Sequence, residues 1–105
     1  MSHETEVLWL DEHRVVSLHE LVEISGLGEA ELLELVHSGA LPVRDTVGGG
    51  YSFSARVVTV ARTACRLRDD FELDTRGVGL ALKLLERVRD LEEEIARLRA
   101  QTPGI

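Results

Sequence analysis

The chain has 105 residues, 44% of them apolar and 30% charged, with a formal net charge of −7; this supports one modest core and excludes two. No apolar run approaches the ~18 residues a membrane-spanning helix needs, and Met1-Ser2-His3-Glu4-Thr5-Glu6 lacks the basic and apolar regions of a secretory signal, so a cytoplasmic protein is expected. The lone Cys65 excludes an internal disulfide and, in an alanine-rich helical stretch, reads as a small packing residue and not a nucleophile.

The first apolar run, Val7-Leu8-Trp9-Leu10, suits a strand or extended arm that buries Trp9, and four residues do not choose between strand and helix. At Val16-Ser17-Leu18-His19-Glu20-Leu21 the signals are sharper. Ser17 and Glu20 stand at capping-box spacing and Val16 and Leu21 at staple spacing, so a helix starts there and ends by Gly26. Its apolar positions are Leu18, Leu21, Val22 and Ile24, with Glu20 and Glu23 away from them. After the turn Gly26-Leu27-Gly28, a second helix runs from Glu29 to Ser38 and closes on Gly39, which suits a left-handed cap. At ~100° per residue Leu32, Leu35 and Val36 face inward, Glu31, Glu34 and Ser38 outward, and Leu33 lies on the flank. Two short helices joined by a glycine turn make a helix-turn-helix pattern.

From Leu41-Pro42-Val43 the chain becomes extended and passes through Val47-Gly48-Gly49-Gly50 into the alternating Tyr51-Ser52-Phe53, a hairpin or wing. The three glycines lack the Lys-Ser or Lys-Thr and the following helix of a phosphate loop. Ser54 is then placed to cap a third helix, with Phe53 and Val58 as its staple and Val57, Ala61, Ala64, Leu67 and Phe71 as its buried stripe. Arg66 stands four residues before Asp70, the spacing of a helical ion pair. The last helix opens at Leu73-Asp74-Thr75, with Asp74 as cap and Leu73 and Val78 as staple, and runs without proline to Ala100. Gly77 and Gly79 weaken its first turns, which implies close approach by the third helix. Past Gln101 the chain should fray.

Within that helix Ala81, Val88 and Ile95 stand seven apart, with Leu84, Leu91 and Leu98 seven apart between them. Such a narrow stripe needs a partner surface, and a helix of about 38 Å outreaches a domain of this size. We therefore expect a homodimer through Ala81, Leu84, Val88, Leu91, Ile95 and Leu98. The expected fold is mainly α in one domain, residues 1–105: a winged helix-turn-helix core over 7–72 with a small β wing, then a dimerisation helix over 73–100.

Charge is uneven. Through Val43 there are nine acidic residues and Arg14 alone on the basic side, a balance of −8; the remainder has ten acids and eleven bases, or +1. An acidic face repels phosphate and attracts a basic protein surface. The histidines His3, His13, His19 and His37 share no metal-ligand spacing, and no serine or cysteine has an identifiable base beside it. Neither catalysis, a cofactor, a metal nor a small-molecule ligand is expected.

The order of helix, glycine turn, helix, wing, helix and leucine-rich helix resembles the MerR-type winged helix-turn-helix. In that superfamily the second helix typically carries Thr-Leu-Arg-Tyr-Tyr and lies in the DNA major groove. Here the motif falls on Glu31-Leu32-Leu33-Glu34-Leu35, with leucine at the arginine position and glutamate at two others, a poor reading head for DNA. Val15-Val16-Ser17, Glu29-Ala30-Glu31-Leu32, and above all the block Arg66-Leu67-Arg68 through Asp74-Thr75-Arg76-Gly77-Val78, followed by Leu82-Lys83-Leu84-Leu85, are similar to the chaperone-modulator CbpM family. The resemblance implies a dimer that binds the J-domain of a DnaJ/CbpA-like co-chaperone and inhibits it, with no specific DNA binding. The alternative is a MerR-like transcription regulator that binds DNA through Arg44, Arg56 and the wing. For the first reading, the expected partner surface is Glu31, Leu33 and Glu34, with Glu20, Glu23 and His37 at its rim: an apolar anchor among carboxylates suits a basic helix. Leu33 at the edge of the core is the competing reading of that residue.

Overall fold

The computed structural model describes residues 14–48 and 50–101. The expected Trp9 arm and the expected frayed end after Gln101 lie outside the described residues. The order is β1 (Val15–Ser17), α1 (Leu18–Ser25), α2 (Glu29–His37), β2 (Asp45–Val47), β3 (Gly50–Ser54), α3 (Arg56–Phe71) and α4 (Thr75–Gln101).

Local signals hold at the first helix. Ser17 Oγ accepts the Glu20 N–H at 3.1 Å while Glu20 Oε1 accepts the Ser17 N–H at 2.9 Å, and the staple residues Val16 and Leu21 are both fully buried. The turn begins at Gly26, whose φ of 89° is left-handed. Ser25 Oγ accepts the Leu27 N–H, so Leu27 is pinned with its side chain in the core. At the other end of α2 the Ala40 N–H reaches the Leu35 carbonyl at 2.9 Å and the Gly39 N–H the Val36 carbonyl at 3.0 Å, with Gly39 at φ 85°. This pair of bonds is the Schellman closure that only a left-handed residue permits at low cost.

The wing is not an isolated hairpin. β3 is the middle strand of a three-stranded antiparallel sheet in the order β1-β3-β2, with Val16 opposite Phe53 and Thr46 opposite Tyr51. Val15-Val16-Ser17 is too short to show an alternation in the sequence. Its partner strand lies beyond both helices.

Four further expectations are corrected. Ser54 does not cap α3: it ends β3, and the cap position is Ala55, whose carbonyl accepts the Val58 N–H. Phe71 is 67% exposed, although it lies in phase with Val57, Ala61 and Ala64 on α3. The fully buried residues of α3 end at Ala64, and the stripe becomes polar at Arg68 before it reaches Phe71. Arg66 is exposed, and it is Arg68 that forms ion pairs, with Glu31 and Asp69. Finally, the close approach at Gly79 is to α2 and its cap, not to α3. A methyl group built there would lie 3.5 Å from Ser38 Oγ, 3.6 Å from Leu35 Cδ2 and 3.8 Å from Ala40 Cβ.

Those separations are ordinary van der Waals contacts, so Gly79→Ala should stabilise the protein, by about 0.5–1 kcal/mol, through helix propensity alone. Gly26→Ala should do the reverse, because its φ is left-handed and the added methyl would sit 2.9 Å from Cys65 Sγ. Urea unfolding of the two variants checks the pair: equal signs would show that the packing around one glycine is misassigned.

The core draws on all the helices and on β1 and β3, through Val16, Leu21, Leu32, Leu35, Phe53, Val57, Ala61, Ala64, Val78 and Leu82, among others. Asp74 Oδ1 caps α4 by accepting the Gly77 N–H at 2.8 Å. Beyond Leu82 every described residue of α4 is exposed. Among the described residues no helix is long and apolar enough to cross a membrane.

Candidate partner-binding face

The face expected to meet a partner is built on α2. At ~100° per residue Leu32 and Leu35 define its buried side, which leaves Ala30, Leu33, Glu34 and His37 on the opposite side. Glu34 and His37 are exposed and Leu33 is half-buried, an apolar surface beside a carboxylate. His37 also reaches the wing. Its Nε2 lies 3.4 Å from the Tyr51 hydroxyl, and the two rings meet edge-on with centroids 6.5 Å apart. The last turn of α2 and the middle strand are thus joined by side chains.

Glu31 does not point freely to solvent as expected. Its Oε1 accepts the Gly28 N–H at 2.9 Å, half of a capping box whose other half a glycine cannot supply, and it pairs with Arg68 Nη1 at 2.7 Å. The two side chains are each about 30% exposed, at 30% for Glu31 and 29% for Arg68. Arg68 also donates through Nε to Asp69 Oδ1 at 2.9 Å and through Nη2 to Cys65 Sγ at 3.5 Å. The Arg68 hydrogen bond holds the Asp69 carboxyl below the usual carboxylate range, while burial pushes the Cys65 thiol up and away from thiolate character. Arg68 was not anticipated as part of this face; nothing within α3 shows that its partner comes from α2.

On α1, Glu23 is exposed and lies 3.6 Å from His19 Nε2, and Glu20 is turned back onto Ser17. The backbone hydrogen bond from Ser17 lowers the Glu20 pKa. A lowered folded-state value means that this contribution to stability is full above the unfolded value and is lost as pH falls through the folded one. Glu20→Gln keeps an acceptor but not the charge, so its stability should fall less steeply than wild type between about pH 5 and pH 3. Denaturant midpoints across that range test this; parallel curves would remove Glu20 as a source of acid sensitivity.

Glu34 lies on the edge of an open cleft of about 220 Å³, whose other wall is Thr75, Arg76, Gly79, Leu80 and Lys83 of α4. Arg76 and Lys83 were not among the expected partner-facing residues. Across the seam Leu84, Val88, Leu91, Ile95 and Leu98 are all exposed, and Ala81 is half-buried.

Residues 16–100 match the family model described as MerR HTH family regulatory protein. The chaperone modulatory protein CbpM of Salmonella arizonae is 35% identical over 74 residues, which cover 70% of this chain and 73% of that protein. The proteins of the same name from Salmonella paratyphi B and Salmonella newport are each 36% identical over 70 residues, covering 67% of this chain and 69% of theirs. The matched family is regulatory and the relatives are named as modulators.

Proposed function

The chain belongs to the MerR HTH family and, within it, to the CbpM chaperone modulators, and from that premise we propose that it binds the J-domain of a DnaJ/CbpA-like co-chaperone and inhibits it by covering the domain's basic surface. The observation that carries this is the composition of the helix pair. Residues 18–37 hold Glu20, Glu23, Glu29, Glu31 and Glu34 and no lysine or arginine, in the place where a DNA reader needs cations. J-domains present a basic second helix to Hsp70; an acidic module seated on that helix blocks the encounter by competition, with no catalytic step. The protein works in the cytoplasm as a homodimer through the α4 seam, as a single domain of winged core and projecting helix, without cofactor or small-molecule ligand.

Since Glu31 and Glu20 have structural duties, the discriminating substitutions are at Leu33 and Glu34. Leu33→Ala should weaken J-domain binding by about tenfold through loss of the apolar anchor. Glu34→Lys should act mainly on the association rate, and the wild-type rate should fall steeply with salt. Surface plasmon resonance against an immobilised J-domain measures both. Unchanged binding with no salt dependence would move the partner to the exposed side of α4, around Glu86, Asp90 and Glu93.

The second reading, a DNA-binding regulator, is favoured by the helix-turn-helix family match and by the exposed Arg44 and Arg56 on either side of the wing strands. A gel shift at low salt decides between them, and submicromolar binding to any defined duplex would put the regulator first.

A further inference from the structure

We infer that the cleft between α2 and α4 seats a carboxylate side chain of the co-chaperone, beside the basic helix that Glu34 meets. This rests on the J-domain reading above and deepens it, adding a second charge of opposite sign to the contact. Glu34 of α2 stands on one wall, and Arg76, Leu80 and Lys83 of α4 line the other. The last three are spaced by four and then three residues, so they share one side of their helix. Leu80 is 61% exposed between the two cations.

The cations of this cleft are not used by the fold. Arg68 is held by Glu31 and Asp69, but among the described residues neither the Arg76 nor the Lys83 side chain has a hydrogen-bond or ion-pair partner, and Glu34 across from them makes no ion pair. Arg76 also stands in the first turn of α4, which holds no acidic residue. That is the positive end of the helix dipole, where a cation is unfavourable and an anion is favoured. Size then separates a partner's side chain from a small molecule. At about 220 Å³ the cleft is below the ~300–1,000 Å³ of small-molecule pockets, and it is open to solvent. Arg76 and Lys83 are about 10 Å apart along α4, so both long side chains can close on one carboxylate seated over Leu80.

Charge complementarity fixes the occupant. A partner surface that presented cations alone would be drawn to Glu34 and repelled by Arg76 and Lys83 across the cleft, and like charges facing each other in an interface oppose binding. A basic helix with an acid three or four residues from one of its cations satisfies both walls at once, because side chains at that spacing are neighbours. The cleft thus lets the module choose among basic surfaces: one without the acid is turned away.

Reversing both cations, Arg76→Glu with Lys83→Glu, tests this by surface plasmon resonance against an immobilised J-domain. Both residues are exposed, and a glutamate in the first turn of α4 suits the dipole, so the fold should tolerate the change. Binding should weaken at least tenfold. Were the partner to offer only cations at the cleft, the same reversal would tighten binding; unchanged or tighter binding therefore overturns the inference. Arg76→Gln with Lys83→Gln, which removes the charges without reversing them, should weaken binding by a smaller factor, and no loss in that variant overturns the inference as well. In a set of J-domains that each have one acidic residue changed to lysine, one should bind the double-glutamate variant at least tenfold more tightly than the unsubstituted J-domain does. If none does, the cleft holds no carboxylate. A double-glutamate variant that changes its self-association in sedimentation equilibrium, with J-domain binding unaltered, would assign the cleft to a second copy and overturn the inference. A wild-type chain that binds no J-domain removes the proposed function and this inference together. If Leu33→Ala and Glu34→Lys weaken binding and the α4 reversal does not, this inference alone falls.

Discussion

Leu91→Asp is expected to convert the proposed dimer to a monomer at tens of micromolar. In the single chain Leu91 is exposed on the projecting half of α4, so the substitution should leave the folding of the monomer within about 0.5 kcal/mol of wild type. In the proposed pair of helices the same position would be at the centre of the seam, where an aspartate loses its water and gains no partner. The cost is several kcal/mol, and the like charge on the second copy adds to it. A seam of three heptads has little affinity in reserve. Light scattering with a thermal melt measures association and folding separately. A fully dimeric variant, or a wild type that is already monomeric, would refute the seam.

Phe53→Ala should have the largest effect on folding. Phe53 is fully buried, lies in the middle strand, pairs in register with Val16 and has Tyr51 at a centroid distance of 6.5 Å. Truncation of a buried phenylalanine costs about 3–5 kcal/mol, against total stabilities of roughly 5–15 kcal/mol for domains of this kind. The variant should unfold at a markedly lower urea concentration with little change in the slope of the transition. Phe53→Leu, which keeps most of the volume, should recover more than half of the loss. A loss below about 1 kcal/mol in the alanine variant would mean that the sheet is not joined to the helical core through this side chain. Because β3 also carries Tyr51, which contacts His37, the same variant should loosen the end of α2 before it unfolds the chain.

The helix-turn-helix was legible where a signal and its partner lie within one or two turns of each other. Ser17 and Glu20 make a capping box, Gly39 makes a left-handed closure, and Asp74 caps α4, all from residues three to five apart. The outward set Leu33, Glu34 and His37 follows from helix phase once Leu32 and Leu35 are assigned to the core. The heptads of α4 belong to the same class, since a stripe is visible in one strand of sequence whatever covers it. Phase also misled. It put Phe71 in the core because periodicity states which side of a helix a residue is on and not how far the opposing elements extend.

Everything that required distant segments to meet was decided by the tertiary structure. Val15–Ser17 became a strand only because β3 lies beside it. Gly79 was a recognisable site of close approach, but that α2 and not α3 fills it depends on how three helices cross. Glu31 read as a solvent-facing carboxylate, and its pairing with Arg68, 37 residues away, turned it into part of the scaffold and left Glu34 as the freer charge. The sequence by itself determined the local geometry, because caps, turns and helix faces are set by steric and hydrogen-bonding rules that act over a few residues. Which of those faces remained open was decided by packing, since burial is a property of what lies opposite.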